Sequence, residues 1–305
     1  VRALAAQILV IAKAPVPGRV KTRLTPPFSP VQAAQLAGAA LADTLAAAAR
    51  VPAARHVLAL DGEPGDWLPA GFDVIGQRGS GLAERIAAAL GEVYGGLRLP
   101  AVLIGMDTPQ VTPALLEAAI RPLLGGEGAP RAGSPAADAD ATLGMAGDGG
   151  FWLLGLRRPD PRLVTGVPMS TPFTGAAQLA RLAGAGLRVR QLPCCTDVDT
   201  AADAVAVARQ IPDSRFAAAL RAIAAEPKAS GELTAARVLR HCYLVTRCEP
   251  IGAFSWLARN RGRSERRRVA GRSGRARDSC HGAGGRHREA AGRPATAPAC
   301  EHPPA

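Results

Sequence analysis

ILVIAKAPVPGRVKTRL, residues 8–24, is the stretch on which the reading of this chain turns. Ile8 to Ala12 is an apolar run of strand length, and it passes straight into a loop carrying Lys13, Arg19, Lys21 and Arg23. An apolar strand without polar alternation belongs in a parallel sheet covered on both faces. In open α/β sheets, ligands bind beyond the carboxyl ends of the strands. The loop therefore stands where a ligand would be held. Pro15, Pro17 and Gly18 stiffen it or permit a sharp bend. Its cations suit phosphate or pyrophosphate, Arg supplying a planar fork and Lys a point charge. The bland alternative is an ordinary basic surface. Neither GxxxxGK[ST] nor GxGxxG is present, so the loop is neither a Walker loop nor a dinucleotide fingerprint.

Outward from this loop, strands and helices alternate. Ser29-Pro30 places a capping residue before proline and predicts an Ala-rich helix to about Arg50. HVLALD (56–61) and DVIG (73–76) read as strands, and Gly81 to Val93 as an amphipathic helix. AVLIG (101–105) is a buried strand, and Thr112-Pro113 starts the next helix. ATLGMA (141–146), FWLLGL (151–156) and LRVRQL (187–192) read as strands, with helices at 174–184 and 200–210. This order predicts a mostly parallel sheet with helices on its faces. GGEGAPRAGSPAAD (125–138) reads as a surface loop, and 213–240 as helix broken at Pro227.

The chain has 305 residues, which allows one large domain or two small ones, and a hydrophobic fraction of 48%, enough for a sizeable core. Aromatics are only 4%, so the core must be Ala, Leu and Val. No apolar run reaches the length of a membrane span. The net charge is +12, but from Trp256 onward 12 Arg stand against 4 acids, which leaves the rest near +4. Three parts are expected: a catalytic domain over 1–225, a helical extension over 226–255 and a disordered Arg-rich tail over 256–305. From Arg259 the tail has almost no apolar residue larger than alanine and cannot offset its ordering entropy. It reads as a solvated tail, as the product of another reading frame in a GC-rich gene, or as a nucleic-acid arm. Nucleic-acid binding is the disfavoured class, because that arm has no aromatics for stacking and the motifs lie in the body.

Several residues are candidates for chemistry. Asp107 ends the AVLIG strand region and suits Mg²⁺ or Mn²⁺, or serves only as a turn former before Pro109. Asp148 precedes Gly149-Gly150, where a backbone can approach a ligand, though Asp-Gly is also a hairpin signal. Asp197 and Asp199 are two apart, so an extended segment would point both the same way, one as a second metal ligand. Asp199 or Thr200 could instead cap the next helix. Gly79, Gly81, Glu84 and Arg85 open a helix whose N-terminus could take phosphate, or are surface charge. Phe151 and Trp152 read as core. His56 is the one histidine before His241 and reads as structural, which disfavours a His-based triad. HExxH and GxSxG are absent, and Cys194-Cys195 are adjacent rather than C-x-x-C. Electrostatic group transfer from an activated nucleotide fits this set best.

AKAPVPGRVKTRL (12–24), GSGLAERI (79–86), LIGMDTPQVTPALL (103–116), GDGGFWLLGL (147–156), VPMST (167–171) and DVDTAAD (197–203) together resemble a bacterial family. It is the selenodomain-associated transferase 1 family, in the glycosyltransferase-A/nucleotidyltransferase-like group. The resemblance spans about residues 7–212. It implies a Rossmann-like, three-layer α/β fold of the nucleotide-diphospho-sugar transferase type, with about seven mostly parallel strands. It implies that Lys13, Gly18, Arg19, Lys21 and Arg23 wrap the nucleotide phosphates, with Gly81 and Arg85 beside them. Asp107 stands where the group keeps its metal-binding aspartate, here as Asp-Thr-Pro rather than Asp-x-Asp, which calls for Asp197 or Asp199 as the distal ligand. Lys21, Asp107 and Asp148 are the expected catalytic residues, with Ser170 and Thr171 near the acceptor. Phe151 stands where similar sequences often carry Tyr. The implied reaction is glycosyl transfer from a nucleotide sugar to a small-molecule acceptor, or nucleotidyl transfer from an NTP, with Mg²⁺ or Mn²⁺. The strand-like start without a cleavage-site pattern, and a donor made inside cells, lead to a cytoplasmic expectation.

Overall fold

A computed structural model describes residues 3–125 and 139–226. The expected loop at 125–138, apart from Gly125, the helix from Pro227 to 240, almost all of the 226–255 extension and the tail at 256–305 lie outside the described residues. The elements are β1 (Leu4–Lys13), α1 (Pro30–Ala49), β2 (Ala53–Asp61), β3 (Phe72–Gly76), α2 (Leu82–Leu97), β4 (Ala101–Gly105), α3 (Pro113–Ile120), β5 (Ala141–Ala146), β6 (Phe151–Leu156), α4 (Thr174–Gly184), β7 (Val189–Cys195), α5 (Ala201–Gln210) and α6 (Arg215–Ala225).

Local chemistry starts the helices where the sequence signals them. The Ser29 hydroxyl accepts from the Gln32 amide N–H, and the Gln32 side chain accepts from the Ser29 N–H, closing a capping box before Pro30. Thr112 caps α3 ahead of Pro113. Thr200 and Asp203 form the capping box of α5, so Thr200 rather than Asp199 caps that helix.

Among the described residues the sheet has seven strands in the order β3-β2-β1-β4-β6-β5-β7. β1 pairs in parallel with β2 and β4, β2 with β3, and β5 with β7. β6 alone runs the other way, between β4 and β5. The carboxyl ends of six strands therefore share one edge with the start of β6. β7 starts two residues later and ends three later than the sequence pattern marks, and it includes Pro193. Proline is tolerated there because β7 is an edge strand.

Side chains alternate between two packed faces, as the strand period demands. Ile8, Val10 and Ala12 of β1 point to a cluster with Leu41, Leu45 and Ala48 of α1 and Leu116 of α3. Leu9 and Ile11 point to the opposite cluster with Ile86 and Leu90 of α2 and Leu182 of α4. A third cluster packs α5 and α6 against the outer face of α1, through Ala33, Leu36, Ala40, Val205, Phe216 and Leu220. Alanine on both faces lets α1 sit closely between sheet and outer helices. Leu24 and Val198 are buried in that same third cluster. Each anchors a segment that carries site residues, so this packing sets the distance between the cationic loop and the DVD segment.

Among the described residues, no helix is long and apolar enough to cross a membrane.

Candidate functional site

A cavity of about 580 Å³ opens at the carboxyl edge of the sheet. It is lined by five cations, Lys13, Arg19, Lys21, Arg23 and Arg85, and four carboxylates, Asp107, Asp148, Asp197 and Asp199. Gly18 and Gly81 are not in its lining. Gly18 sits at φ +75 in the turn between Pro17 and Arg19, a conformation that favours glycine. Gly81 is the N-cap of α2.

Lys21 is the centre of the charge arrangement. Its side chain is 8% exposed, and its Nζ lies 2.9 Å from Asp107 Oδ1 and 3.1 Å from Asp199 Oδ1. The Arg23 guanidinium takes the other oxygen of Asp199 at 3.2 Å. Burial alone would lower the Lys21 pKa, but the charges and hydrogen bonds of Asp107 and Asp199 outweigh it and raise the value. Burial would likewise raise Asp199, and Lys21 and Arg23 outweigh it and lower the value. Lys21 has left-handed backbone angles, φ 49 and ψ 39, where the turn Thr22–Leu24 begins. Such angles are uncommon for a residue with a Cβ.

Asp197 is set differently from Asp199. It accepts a 2.7 Å hydrogen bond from the Thr108 hydroxyl. Burial pushes its carboxyl up to about 6, the charges of Asp107 and Asp148 push the same way, and Thr108 and Lys21 oppose them. The Val198 N–H between the two aspartates donates to the Asp107 carbonyl at 2.9 Å, and the Asp199 N–H donates to the Asp197 carbonyl at 3.1 Å. The segment is thus turned rather than extended. Asp197 and Asp199 still face one cavity, with Val198 buried between them, but they engage Thr108 and Lys21 respectively.

The helix N-terminus at α2 is also not as expected. The Glu84 carboxylate accepts from both the Ser80 N–H and the Ser80 hydroxyl at 2.7 Å. An internal carboxylate already uses donors that a phosphate would seek. Arg85 pairs with Asp61 at 2.8 Å and donates to the Gly79 carbonyl at 3.2 Å. Gln77 lines the cavity and donates to the carbonyls of Ala12 at 2.7 Å and Ala59 at 3.0 Å, fastening the ends of β1 and β2. Asp61, Gln77 and Thr108 were not singled out from the sequence. Asp61 carried the same signal as Asp107, a carboxylate at the end of an apolar strand.

Asp148 lies in the β5–β6 hairpin, so the turn and cavity readings both hold. Its Oδ1 accepts from the Gly150 N–H at 2.8 Å. Ser170 and Thr171 line the cavity nearby, as does Phe151, which is half-buried rather than wholly core. Trp152 is core: it is 2% exposed, and its indole N–H donates to the Pro193 carbonyl at 3.0 Å. His56 is held by the carbonyls of Ala48 and Val51 and is structural. Cys194 and Cys195 are free thiols. Burial raises the pKa of Cys194, and that of Cys195 to about 11, so neither is an activated nucleophile.

Gly149 joins the hairpin to the segment 170–175. It sits at φ +90, and a Cβ there would fall on the Pro172 carbonyl. Its own carbonyl accepts from the Gly175 N–H at 2.8 Å. Gly149→Ala is expected to cost about 2–3 kcal/mol in urea unfolding, through positive φ and overpacking together. Unchanged stability would show that the hairpin and residues 170–175 are not coupled.

Among the described residues, no group of three or more His, Cys, Asp or Glu is arranged to hold a metal ion. Mg²⁺, however, is commonly bound by one or two carboxylates together with substrate phosphates. Asp107 and Asp197 offer hard oxygens and repel one another, and both line the cavity. They fit a site completed by phosphates, not a closed protein cage.

Residues 35–171 match a family described as an uncharacterized protein conserved in bacteria (DUF2064). The fold is similar to that of a candidate nucleotide-diphospho-sugar transferase from Desulfovibrio desulfuricans G20. That likeness is at 28% identity and TM-score 0.62, covering 71% of this chain and 94% of the other. A homolog of Mycobacterium tuberculosis Rv0371c from Mycobacterium sp. strain JC1 aligns at 19% identity and TM-score 0.41, over 72% of this chain and all of that one. No curated protein matches the chain significantly. The architecture is thus the α/β, Rossmann-like fold of the nucleotide-diphospho-sugar transferases, the group that the sequence motifs resemble.

Proposed function

We propose that this protein is a glycosyltransferase that draws on a nucleotide-diphosphate sugar and works with Mg²⁺ or Mn²⁺. The observation that carries the reading is the convergence of the 13–23 cations and the carboxylates Asp107, Asp197 and Asp199 on one cavity. Likeness to the Desulfovibrio protein supports the same class.

Lys13 and Arg19 line the cavity and carry no carboxylate partner among the described residues, so their charges are available to the donor's phosphates. Lys21 and Arg23 add a buried point charge and a planar fork. Asp107 and Asp197 would hold the metal, which, when bound, would neutralise charge building on the leaving diphosphate. Asp199 positions Lys21 and Arg23. Asp148 orients the acceptor hydroxyl and takes its proton on the carboxylate oxygen not bonded to Gly150. The acceptor oxygen bonds to the anomeric carbon. The bond from that carbon to phosphate oxygen breaks, and nucleoside diphosphate leaves with the electron pair.

A second reading is nucleotidyl transfer, favoured by the two unpaired cations, which would also suit a phosphate-bearing acceptor. There an acceptor phosphate oxygen bonds to the α-phosphorus and pyrophosphate leaves. Calorimetric titration of the full chain with UDP-, GDP-, ADP-, CDP- and dTDP-sugars and with free NTPs, with and without Mn²⁺, separates the two. Metal-dependent binding of one nucleotide sugar is the expected result. Preference for a free NTP would move the assignment to nucleotidyl transfer, and no binding in either set would overturn both.

A further inference from the structure

We propose that Lys21 is a built-in counter-ion that keeps a divalent metal out of the cavity until a nucleotide arrives. The inference rests on the nucleotide-transferase reading and goes further, to the order in which metal and donor enter.

The Lys21 ammonium bridges Asp107 and Asp199 at 2.9 and 3.1 Å. Asp107 is one of the two carboxylates that suit a metal. An ammonium and a dication cannot share its oxygens without repulsion of like charges at close range. The lysine is not a loose surface chain that swings aside at no cost. Its side chain is 8% exposed, and its backbone is held in the left-handed region. Buried Val20 and Leu24 flank it in the chain, and Arg23 holds Asp199 from the other side. Strain at a single lysine, kept in place by packing, marks a side chain whose position matters.

Incoming phosphates change the balance. They offer Lys21 a new anionic partner inside the same cavity, and they supply the oxygens that a two-carboxylate metal site lacks. Lys21 then releases Asp107, and the carboxylate passes to the metal. Metal and nucleotide therefore bind as a pair, each raising the affinity of the other by the same factor. Lys21 acts here as a positioning residue for the metal, apart from any contact with phosphate.

Mn²⁺ binding to the full chain without nucleotide, followed by electron paramagnetic resonance, tests this. Wild type is expected to bind no Mn²⁺ at the cavity below about 1 mM. Lys21→Met is expected to bind it at least about tenfold more tightly, because Asp107 is freed. Lys21→Arg restores the cation and is expected to exclude Mn²⁺ as wild type does. Circular dichroism melting checks that each variant is folded, and Lys21→Gln replaces the methionine variant if that one is not. Equal Mn²⁺ affinity in wild type and Lys21→Met would overturn the proposal. So would a gain that survives Asp107→Ala in the Lys21→Met background, since the metal would then sit elsewhere. These readings use bare Mn²⁺. Loss of all nucleotide binding would therefore sink the transferase reading and leave this result standing, and the reverse holds too.

Discussion

Asp107→Ala is expected to weaken metal-dependent nucleotide binding by at least about 100-fold while leaving the fold intact. Removing even an outer partner of a metal ligand commonly costs 10–100-fold in metal affinity, and a direct ligand costs no less. The fold should survive because the Asp107 side chain is 39% exposed at the end of β4. Its structural bond to the DVD segment runs through the backbone carbonyl, which accepts from the Val198 N–H at 2.9 Å and is untouched by the substitution. Lys21 keeps Asp199 as a partner at 3.1 Å. Paired calorimetric titrations of wild type and variant, in Mn²⁺ and in EDTA, give the answer. In the variant the two conditions should yield nearly the same affinity. A metal-dependent gain within threefold of wild type would remove Asp107 from the metal's ligands.

Asp197→Asn should act in the opposite sense on stability. Its carboxyl is raised from 3.8 to about 6, first by burial and then by the charges of Asp107 and Asp148. The folded state therefore binds this proton more tightly than the unfolded state does. The group imposes no penalty well below its unfolded value of 3.8, where both states are protonated. The penalty grows as pH rises through the interval from about 4 to 6 and is complete above it. That interval corresponds to about 3 kcal/mol as a ceiling. Asparagine does not titrate, and its carbonyl can still accept from the Thr108 hydroxyl. Urea unfolding in EDTA should find the variant more stable than wild type by about 1–3 kcal/mol at pH 7.5. The difference should shrink below about 1 kcal/mol near pH 4 and vanish near pH 3. Equal stability at both pH values would mean that the carboxylate is better solvated than its surroundings indicate. The same variant should lose metal-dependent nucleotide affinity. Stability given up at a working site in this way is a common trade.

The contrast between Asp197 and Asp199 also shows what was legible in the chain. Their spacing of two marked both as candidates, and both line the cavity. Their division of labour was not legible. It depends on Val198 being buried among the outer helices, which turns the segment and sends one carboxylate to Thr108 and the other to Lys21. The partners lie 89 and 178 residues away along the chain, and nothing local specifies such pairings. Gly81 and Glu84 teach a similar lesson at short range. The motif reads as a phosphate seat, but the carboxylate folds back onto Ser80.

The elements, their order and the edge where the charged cavity opens were legible along the chain. Ser29-Pro30, Thr112-Pro113, the apolar runs ILVIA and AVLIG and the cations of the first loop are local signals. Capping, strand burial and loop charge act over a few residues. Long-range packing sets the rest: β6 runs against its neighbours, Asp61 holds Arg85, and Lys21 bridges Asp107 and Asp199. The physical reason is range. A carboxylate chooses its partner by distance and burial in the folded state, and those are set by the packing of Leu24 and Val198 in one cluster, long after the local code has ended.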